Sequence, residues 1–393
     1  MNTVSLDEVA DVIRGVTFSK AEGETFPSPD RLPVIRAGSI QQELHLDEGQ
    51  IWVPAEKIKP HQKIRRDDII MCTSSGSSDL VGKCAKSEQD YDGSFGAFCA
   101  GIRTDSQVMN PSYLFHFLRS PSFRRWTSSS SGANIKNIRL SELAKFQIPA
   151  PTIREQKRIA AILDKADNLR RKRQQAIQLA DEFLRAVFLE MFGDPMTSSK
   201  PWMRKTLQEI VAEGTSITYG IVQAGPEVEG GVPYIRTGDF KDGLLAESGY
   251  ARTSQEIASK FERSKVLEGD LVYCIRASIG SVDIVPKALE GANLTQGTAR
   301  IAPGPEVLSE YLVEYLRTKG FRHWVDLQSK GATFKEITLG RLRDAPVLVP
   351  PMAEQRKFAA IRMKVLQDLK TKMNSSQEPL FDALSQRAFQ GEL

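Results

Sequence analysis

The feature that most constrains this 393-residue chain is a sequence pattern that occurs twice, about 200 residues apart. The segment LPVIRAG at residues 32–38 resembles VPYIRTG at 232–238, so Arg36 corresponds to Arg236. Further matches at nearly the same spacing pair residues 68–72 with 270–274, 113–119 with 311–317, 123–126 with 321–324, 132–138 with 331–337, and 155–162 with 354–361. Such collinear matches, with a period far longer than that of solenoid repeats, predict one structural unit used twice.

Each unit is predicted to begin with a mixed domain of the α+β class. The apolar runs at residues 69–72 and 270–274 predict buried strands. Residues 112–126 and 309–324 predict helices, and the serine-rich stretch 127–132 predicts a loop. Short apolar runs among many Gly, Ser and Pro residues therefore indicate a sheet with a few helices in each copy.

Each unit is predicted to end in a long helix. After Pro151, Thr152 and Glu155 form a capping-box pattern, in which the hydroxyl and the carboxylate satisfy free backbone N–H groups. No Pro or Gly follows until Gly193, which allows a helix of about 40 residues and about 60 Å. Apolar or small residues at spacings of three and four suggest that this helix packs along a partner helix.

The second long helix is predicted to be less regular than the first. It follows Pro350 and Pro351, so the position of Thr152 is taken by a proline and the cap is lost. The sequence Asn-Ser-Ser at 374–376 and Pro379 interrupt the apolar pattern. We therefore expect a kink or a restart of the helix near Pro379.

The composition is that of an ordinary globular chain. Lys and Arg number 53 against 49 Asp and Glu, and the net charge is only +4. No apolar run has the roughly 18–20 residues of a membrane helix, and the first residues lack a signal-peptide pattern, so we expect a cytoplasmic protein. The four cysteines form no C-x-x-C pair, which predicts reduced, buried thiols and no metal site.

The usual motifs of catalysis are missing from the sequence. It contains no phosphate-binding G-x-x-x-x-G-K-[ST] loop and no G-x-G-x-x-G after a strand. It also lacks the Asn/Asp-Pro-Pro-aromatic segment with which amino-methyltransferases hold a flipped adenine, and no catalytic triad can be proposed. We therefore expect a chain that catalyses nothing and has no catalytic residues.

Basic and small polar residues are the remaining candidates for function. Arg, Asn, Ser and Thr can read base edges in DNA, and Lys suits phosphate. The alternative for each residue is an ordinary solvated loop. Recurrence of Arg36 as Arg236 and of Lys136 as Lys335 favours the DNA-binding interpretation, with Arg276 reading bases and Lys335 contacting phosphate. The candidates are Arg36, Ser74, Ser75, Ser77, Asn134, Lys136, Tyr219, Arg236, Arg276, Ser278, Thr333 and Lys335.

A basic run lies on the first long helix at Arg170, Arg171, Lys172 and Arg173. One interpretation is a solvated face of a coiled coil. The other is a surface that binds the DNA backbone or an acidic partner subunit. We consider it a candidate partner-binding site.

With these motifs in place, the chain resembles the specificity (S) subunits of type I restriction–modification systems. The resemblance is carried by FQIPAP at 146–151, REQKRIAAIL at 154–163, FLEMFGDP at 188–195, PPMAEQRKFAAI at 350–361 and QRAFQGEL at 386–393. It implies target recognition domain 1 at residues 1–150, a first conserved helix at 151–194, target recognition domain 2 at 195–349 and a second conserved helix at 350–393.

The resemblance also implies an architecture and partners. Two pseudo-symmetric target recognition domains would be separated by two long antiparallel helices, and each domain would read one half of a bipartite site in double-stranded DNA. Two methyltransferase (M) subunits and restriction (R) subunits are the implied partners. S-adenosylmethionine, ATP and Mg would be bound by those partners and not by this chain. The assembly would methylate adenine and cleave DNA in an ATP-dependent manner.

Two other classes of function remain as alternatives. A methyltransferase or nuclease in one chain would bind the methyl donor by itself, although the missing motifs argue against it. A coiled-coil adaptor would bind proteins only, and its complex would protect no defined DNA sequence.

Overall fold

The computed structural model describes residues 2–77, 80–129, 136–241, 243–329, 335–373 and 378–392. The chain forms two compact units. Unit 1 comprises residues 1–174 together with 375–393, and unit 2 comprises residues 175–374. Each unit therefore combines one mixed domain with helical segments from two separate stretches of the chain.

In the described part of the first mixed domain, short strands and three α-helices precede the first long helix. The strands are β1 (Thr3–Ser5), β2 (Ala10–Arg14), β3 (Arg31–Ile35), β4 (Ile51–Pro54), β5 (Ile69–Cys72), β6 (Ser74–Ser75), β7 (Cys84–Lys86), β8 (Ser94–Phe95), β9 (Cys99–Thr104), β10 (Lys136–Asn137) and β11 (Gln147–Pro149). The helices are α1 (Pro111–Leu118), α2 (Pro121–Ser129), α3 (Leu140–Ala144) and the long α4 (Ile153–Phe192).

The second mixed domain has the same kinds of element in nearly the same order. Its strands are β12 (Met203–Thr206), β13 (Thr218–Tyr219), β14 (Val232–Ile235), β15 (Phe240–Lys241), β16 (Leu244–Leu245), β17 (Arg252–Thr253), β18 (Leu271–Cys274), β19 (Val282–Ile284), β20 (Asn293–Leu294), β21 (Thr298–Ile301) and β22 (Pro346–Val349). Its helices are α5 (Gln255–Ser259), α6 (Ser309–Arg317), α7 (Lys319–Gln328) and α8 (Leu339–Arg343), and α9 (Met352–Met373) and α10 (Glu378–Gln390) follow.

The sheets confirm that one unit is used twice. An antiparallel sheet of order β2-β9-β5-β7 in the first domain matches β13-β21-β18-β19 in the second. A three-stranded sheet of order β4-β3-β8 matches β17-β14-β20, and each contains one parallel pair. The buried salt bridge between Asp68 and Arg103 also recurs as Asp270 with Arg300, at 2.6 Å in both copies.

The stretches 112–126 and 309–324 each form two helices, so the prediction of one continuous helix in each stretch was wrong. In the first copy α2 restarts at Pro121, whose missing N–H costs nothing in a first helical turn. In the second copy the Thr318 hydroxyl caps α7 by accepting the backbone N–H of Phe321 at 3.3 Å. The predicted loop at 127–132 is also corrected, since α2 extends to Ser129; residues 130–132 lie outside the described residues.

The first long helix has the predicted bounds but only half of the predicted cap. The Thr152 hydroxyl accepts the N–H of Glu155 at 3.4 Å. The Glu155 carboxylate binds Arg158 instead, at 2.7 Å. The second helix is described in two parts, α9, which ends at Met373, and α10, which begins at Glu378 with Pro379 in its first turn. Residues 374–377 lie outside the described residues, so the expected kink or restart near Pro379 stays a prediction. Among the described residues, no helix is long and apolar enough to cross a lipid bilayer.

One buried glutamine in each unit attaches a long helix to its mixed domain. The Gln156 amide accepts the N–H of Asn110 at 2.8 Å and donates to the carbonyls of Val108 and Pro151. Gln355 repeats this arrangement with Leu308, Glu306 and Pro350. Both side chains are fully buried. This repeated contact explains why Gln occurs at the same place in both copies of the sequence.

Aromatic residues complete the attachment within each unit. In unit 1, Tyr113 of α1 packs edge-on against Phe389 of α10, with ring centroids 5.5 Å apart. In unit 2, Tyr311 of α6 contacts Phe188 and Phe192 of α4 at 5.4 and 4.9 Å. The hydroxyls of both tyrosines donate to backbone carbonyls, so these buried groups are satisfied.

Candidate nucleic-acid interface

Unit 1 has an open cleft of about 1130 Å³, formed where five chain segments meet. They lie after β2, after β3, before β4, around β6 and at the start of β9. Arg36, Ser74 and Ser75, which are far apart in sequence, all line this cleft. Three of the predicted DNA-binding residues are therefore brought together by the fold.

Unit 2 has a smaller cleft of about 370 Å³ at the equivalent place. Arg236 and Arg276 both line it, together with the turn at residues 295–297 before β21. Equivalent strands thus carry both clefts. Apart from the repeated arginine, the side chains that line them at equivalent positions differ. A shared frame with variable loops is a common arrangement for binding sites.

A close crossing of two backbone segments forms one wall of each cleft. A Cβ atom at Gly15 would lie 2.1 Å from the carbonyl oxygen of Gly96, and one at Gly220 would lie 2.0 Å from that of Leu294. Only glycine fits at such a distance. Sequence comparison missed the repeated glycine because 220 − 15 gives an offset of 205, whereas Gly96 and Thr295, which form equivalent bridges to the residues after these glycines, differ by 199.

The two repeated arginines have different surroundings. Arg236 forms an ion pair with the Asp239 carboxylate, with Nη2 2.8 Å from Oδ1. The hydrogen bond to Asp239 raises the pKa of Arg236 above its usual value. Arg36 is exposed, and its Nε donates to the carbonyl of Gly49 at 3.2 Å. Ser39 takes the place of Asp239 in the first unit, which leaves Arg36 better able to bind an anion.

Arg276 is also paired within the chain. Its Nε lies 2.7 Å from Oε2 of Glu336, and the two backbones form an isolated antiparallel bridge. The equivalent place in unit 1 is the pairing of β6 with β10, where Ser74 lies opposite Asn137. Glu336 and Asn137 were missed by the sequence analysis, although each directly follows a repeated lysine.

The other predicted DNA-binding residues do not line the clefts. Tyr219 is 45% exposed on β13, and Ser77, Ser278 and Lys335 are exposed in nearby turns and strand ends. Lys136 is paired through its backbone with Ser75. Asn134 and Thr333 lie outside the described residues. Their roles in DNA binding stay predictions.

Phe98 is a cleft residue that the sequence analysis did not single out. It lines the first cleft and is 69% exposed. The backbone carbonyl of Phe98 accepts the N–H of Thr73, and the backbone carbonyl of Gly297 accepts the N–H of Ile275 in the same way. Gly297 is therefore the equivalent of Phe98 in unit 2. At this position the first cleft therefore carries an aromatic ring where the second has a glycine, and bases can stack on such a ring.

The basic run on α4 is largely engaged within unit 1. Arg170, Arg171 and Arg119 lie 2.7, 3.1 and 3.1 Å from the carboxylate of Asp167. Burial alone would raise the pKa of Asp167, but the arginines outweigh it and hold this pKa below its usual value. Lys172 is exposed and Arg173 is half-buried. A role of this run in partner binding stays a prediction.

The cysteines are buried free thiols, as expected. Burial raises the pKa of Cys84, Cys99 and Cys274 to about 12, which leaves the thiolate unpopulated at neutral pH. Within the described ranges, no group of three His, Cys, Asp or Glu side chains could hold a metal ion.

The chain is similar to known proteins in sequence and in fold. The chain is 27% identical to the StySPI specificity subunit of Salmonella potsdam, over 100% of this chain and 89% of that protein. It is 28% identical to the EcoKI specificity subunit of Escherichia coli strain K12, over 89% and 78%. A type I S subunit from M. genitalium has a similar fold, with a TM-score of 0.57, 16% identity, and coverage of 99% and 96%.

The family itself is identified by two matches along the chain. The type I restriction modification DNA specificity domain matches residues 1–179 and again 199–377, one match for each copy of the repeat. Members of this kind are non-catalytic subunits, so the prediction that the chain is a specificity subunit and not an enzyme is confirmed. The chain therefore belongs to the type I restriction–modification DNA specificity family.

Proposed function

We propose that the two mixed domains each read one half of a bipartite site in double-stranded DNA. The observation that carries this proposal is the pair of equivalent clefts. The same strands form both, yet Arg36, Ser74 and Phe98 occupy one, and Arg236, Arg276 and Gly297 occupy the other. Equivalent frames with different lining side chains suit two readers of different sequence.

Phosphate contacts and base contacts are assigned to different residues. Arg36 and Lys335 are exposed cations, and we assign both to the DNA backbone. Arg276 lies inside the second cleft, and we assign it to base reading. The net charge of +4 is low for a protein that binds DNA alone. It suits a subunit whose partners supply further phosphate contacts.

The long helices would set the spacing between the half-sites. We propose that α4 lies antiparallel to α9 and α10 as a coiled coil, and that these helices bind two methyltransferase subunits and, where present, restriction subunits. A helix of 40 residues is about 60 Å long, which suits a spacer between two DNA readers. S-adenosylmethionine, ATP and Mg would be bound by the partners, and the complex would act in the cytoplasm.

The test uses the chain in complex with its methyltransferase subunits. Single-molecule sequencing of methylated adenines should reveal one bipartite motif. Exchange of residues 1–150 for the equivalent part of another family member should change one half of the motif and leave the other half and the spacer unchanged. Methylation without any defined motif, or a change of both halves together, would overturn the proposal.

A further inference from the structure

One strand pairing occupies the same place beside both clefts. In unit 2 it joins Arg276 to Glu336, and in unit 1 it joins Ser74 to Asn137. The residues directly before Glu336 and Asn137 in the chain are the repeated lysines, Lys335 and Lys136. The backbone arrangement is thus shared, and the facing side chains are entirely different in chemistry.

The pair in unit 2 has the chemistry that recognises a G·C base pair. An arginine forks onto O6 and N7 of guanine, and a glutamate accepts from N4 of cytosine. The ion pair is closest at Nε of Arg276, at 2.7 Å from Glu336. Among the described residues, neither Nη atom of Arg276 donates a hydrogen bond. Glu336 can therefore hold the guanidinium at Nε, while the two Nη atoms of Arg276 stay available for guanine.

The pair in unit 1 has the chemistry of an A·T base pair instead. An asparagine amide can both accept from N6 and donate to N7 of adenine. Asn137 is exposed, and Ser74 lines the cleft beside it. A serine hydroxyl can bind either kind of base pair, so Asn137 carries the preference.

We propose that this strand pairing is the specificity element common to both domains. Arg276 with Glu336 selects G·C at one position of the second half-site, and Asn137 with Ser74 selects A·T at the equivalent position of the first. The inference rests on the proposed function, and it adds the residues Glu336 and Asn137 and the identity of the bases.

The test exchanges the pair between domains. The double variant Arg276→Ser, Glu336→Asn is assembled with methyltransferase subunits, and binding is measured for duplexes that carry every single base-pair change in both half-sites. One position of the second half-site should change its preference from G·C to A·T by about 5-fold to 100-fold. The reciprocal variant Ser74→Arg, Asn137→Glu should change the first half-site in the opposite direction.

Two further variants make the outcome decisive. Arg276→Lys keeps the charge but loses the fork, so it should lose the G·C preference at that position by about 5-fold or more, with an unchanged salt dependence. The control Lys287→Ser, Glu290→Asn removes an exposed ion pair of the same domain and should change no base preference.

The failure of the inference is distinguishable from that of the proposed function. If the unaltered complex discriminates among no bases, the proposed function fails. If it discriminates but Arg276→Lys and the exchanged pair keep every preference, this inference alone is overturned. Should the double variants fail to assemble, Arg276→Lys decides the matter by itself.

Discussion

Replacing Gln355 tests the contact that attaches α9 to the second mixed domain. Its amide makes three buried hydrogen bonds, one accepted from Leu308 and two donated to Glu306 and Pro350. Each such bond contributes about 1 kcal/mol net, and partners left unsatisfied cost more. We therefore expect Gln355→Ala to lower the free energy of unfolding by about 3 kcal/mol or more.

The measurement is denaturant-induced unfolding of the purified full chain, followed by circular dichroism. The matched control is Gln367→Ala, because Gln367 is an exposed glutamine on the same helix, and its replacement should change stability by less than about 0.5 kcal/mol. Gln156→Ala should reproduce the effect of Gln355→Ala in unit 1. Equal, small effects of Gln355→Ala and Gln367→Ala would refute the reasoning.

Two further predictions concern the contacts of two aspartates, Asp194 and Asp167. Gly320 lies in the first turn of α7, and a Cβ there would lie 2.4 Å from both Asp194 carboxylate oxygens, so Gly320→Ala should destabilise the chain by about 1–3 kcal/mol in denaturant-induced unfolding. The control Gly340→Ala, with open space at its Cβ, should be neutral or stabilising in the same measurement. Asp167→Asn should cost about 2 kcal/mol or more at pH 7, since it removes the charge shared by three arginines. Because the folded pKa of Asp167 is depressed, its contribution is present above the ordinary pKa of 3.8 and is lost as pH falls through the lower folded value. Urea titrations at pH 7 and below pH 4 should show that the loss of unfolding free energy caused by Asp167→Asn becomes smaller in acid, and a pH-independent loss would contradict this. The control Asp181→Asn, in a half-exposed pair with Arg185, should lower the unfolding free energy by less than about 1 kcal/mol.

The sequence by itself determined the duplication, the mixed class of each domain and the bounds of the first long helix. These features depend on local patterns. The buried strand β5 lies at the predicted residues 69–72, and α4 covers Ile153–Phe192 because that stretch contains no Pro or Gly.

Only the tertiary structure decided which residues meet. Arg36 and Ser74 share a cleft because β3 and β6 belong to different sheets that fold together. The pairing of Arg276 with Glu336, and of Asp167 with Arg119, joins residues far apart in the chain, and no local spacing encodes such contacts. The basic run on α4 looked like a free surface in the sequence. Arg170 and Arg171 lie three and four residues after Asp167, so their pairing follows helix spacing, whereas only packing buries that carboxylate and adds Arg119 to it. Long-range side-chain partners depend on packing, whereas strands and helices depend on neighbours in the chain, and that difference separates what could be predicted from what could not.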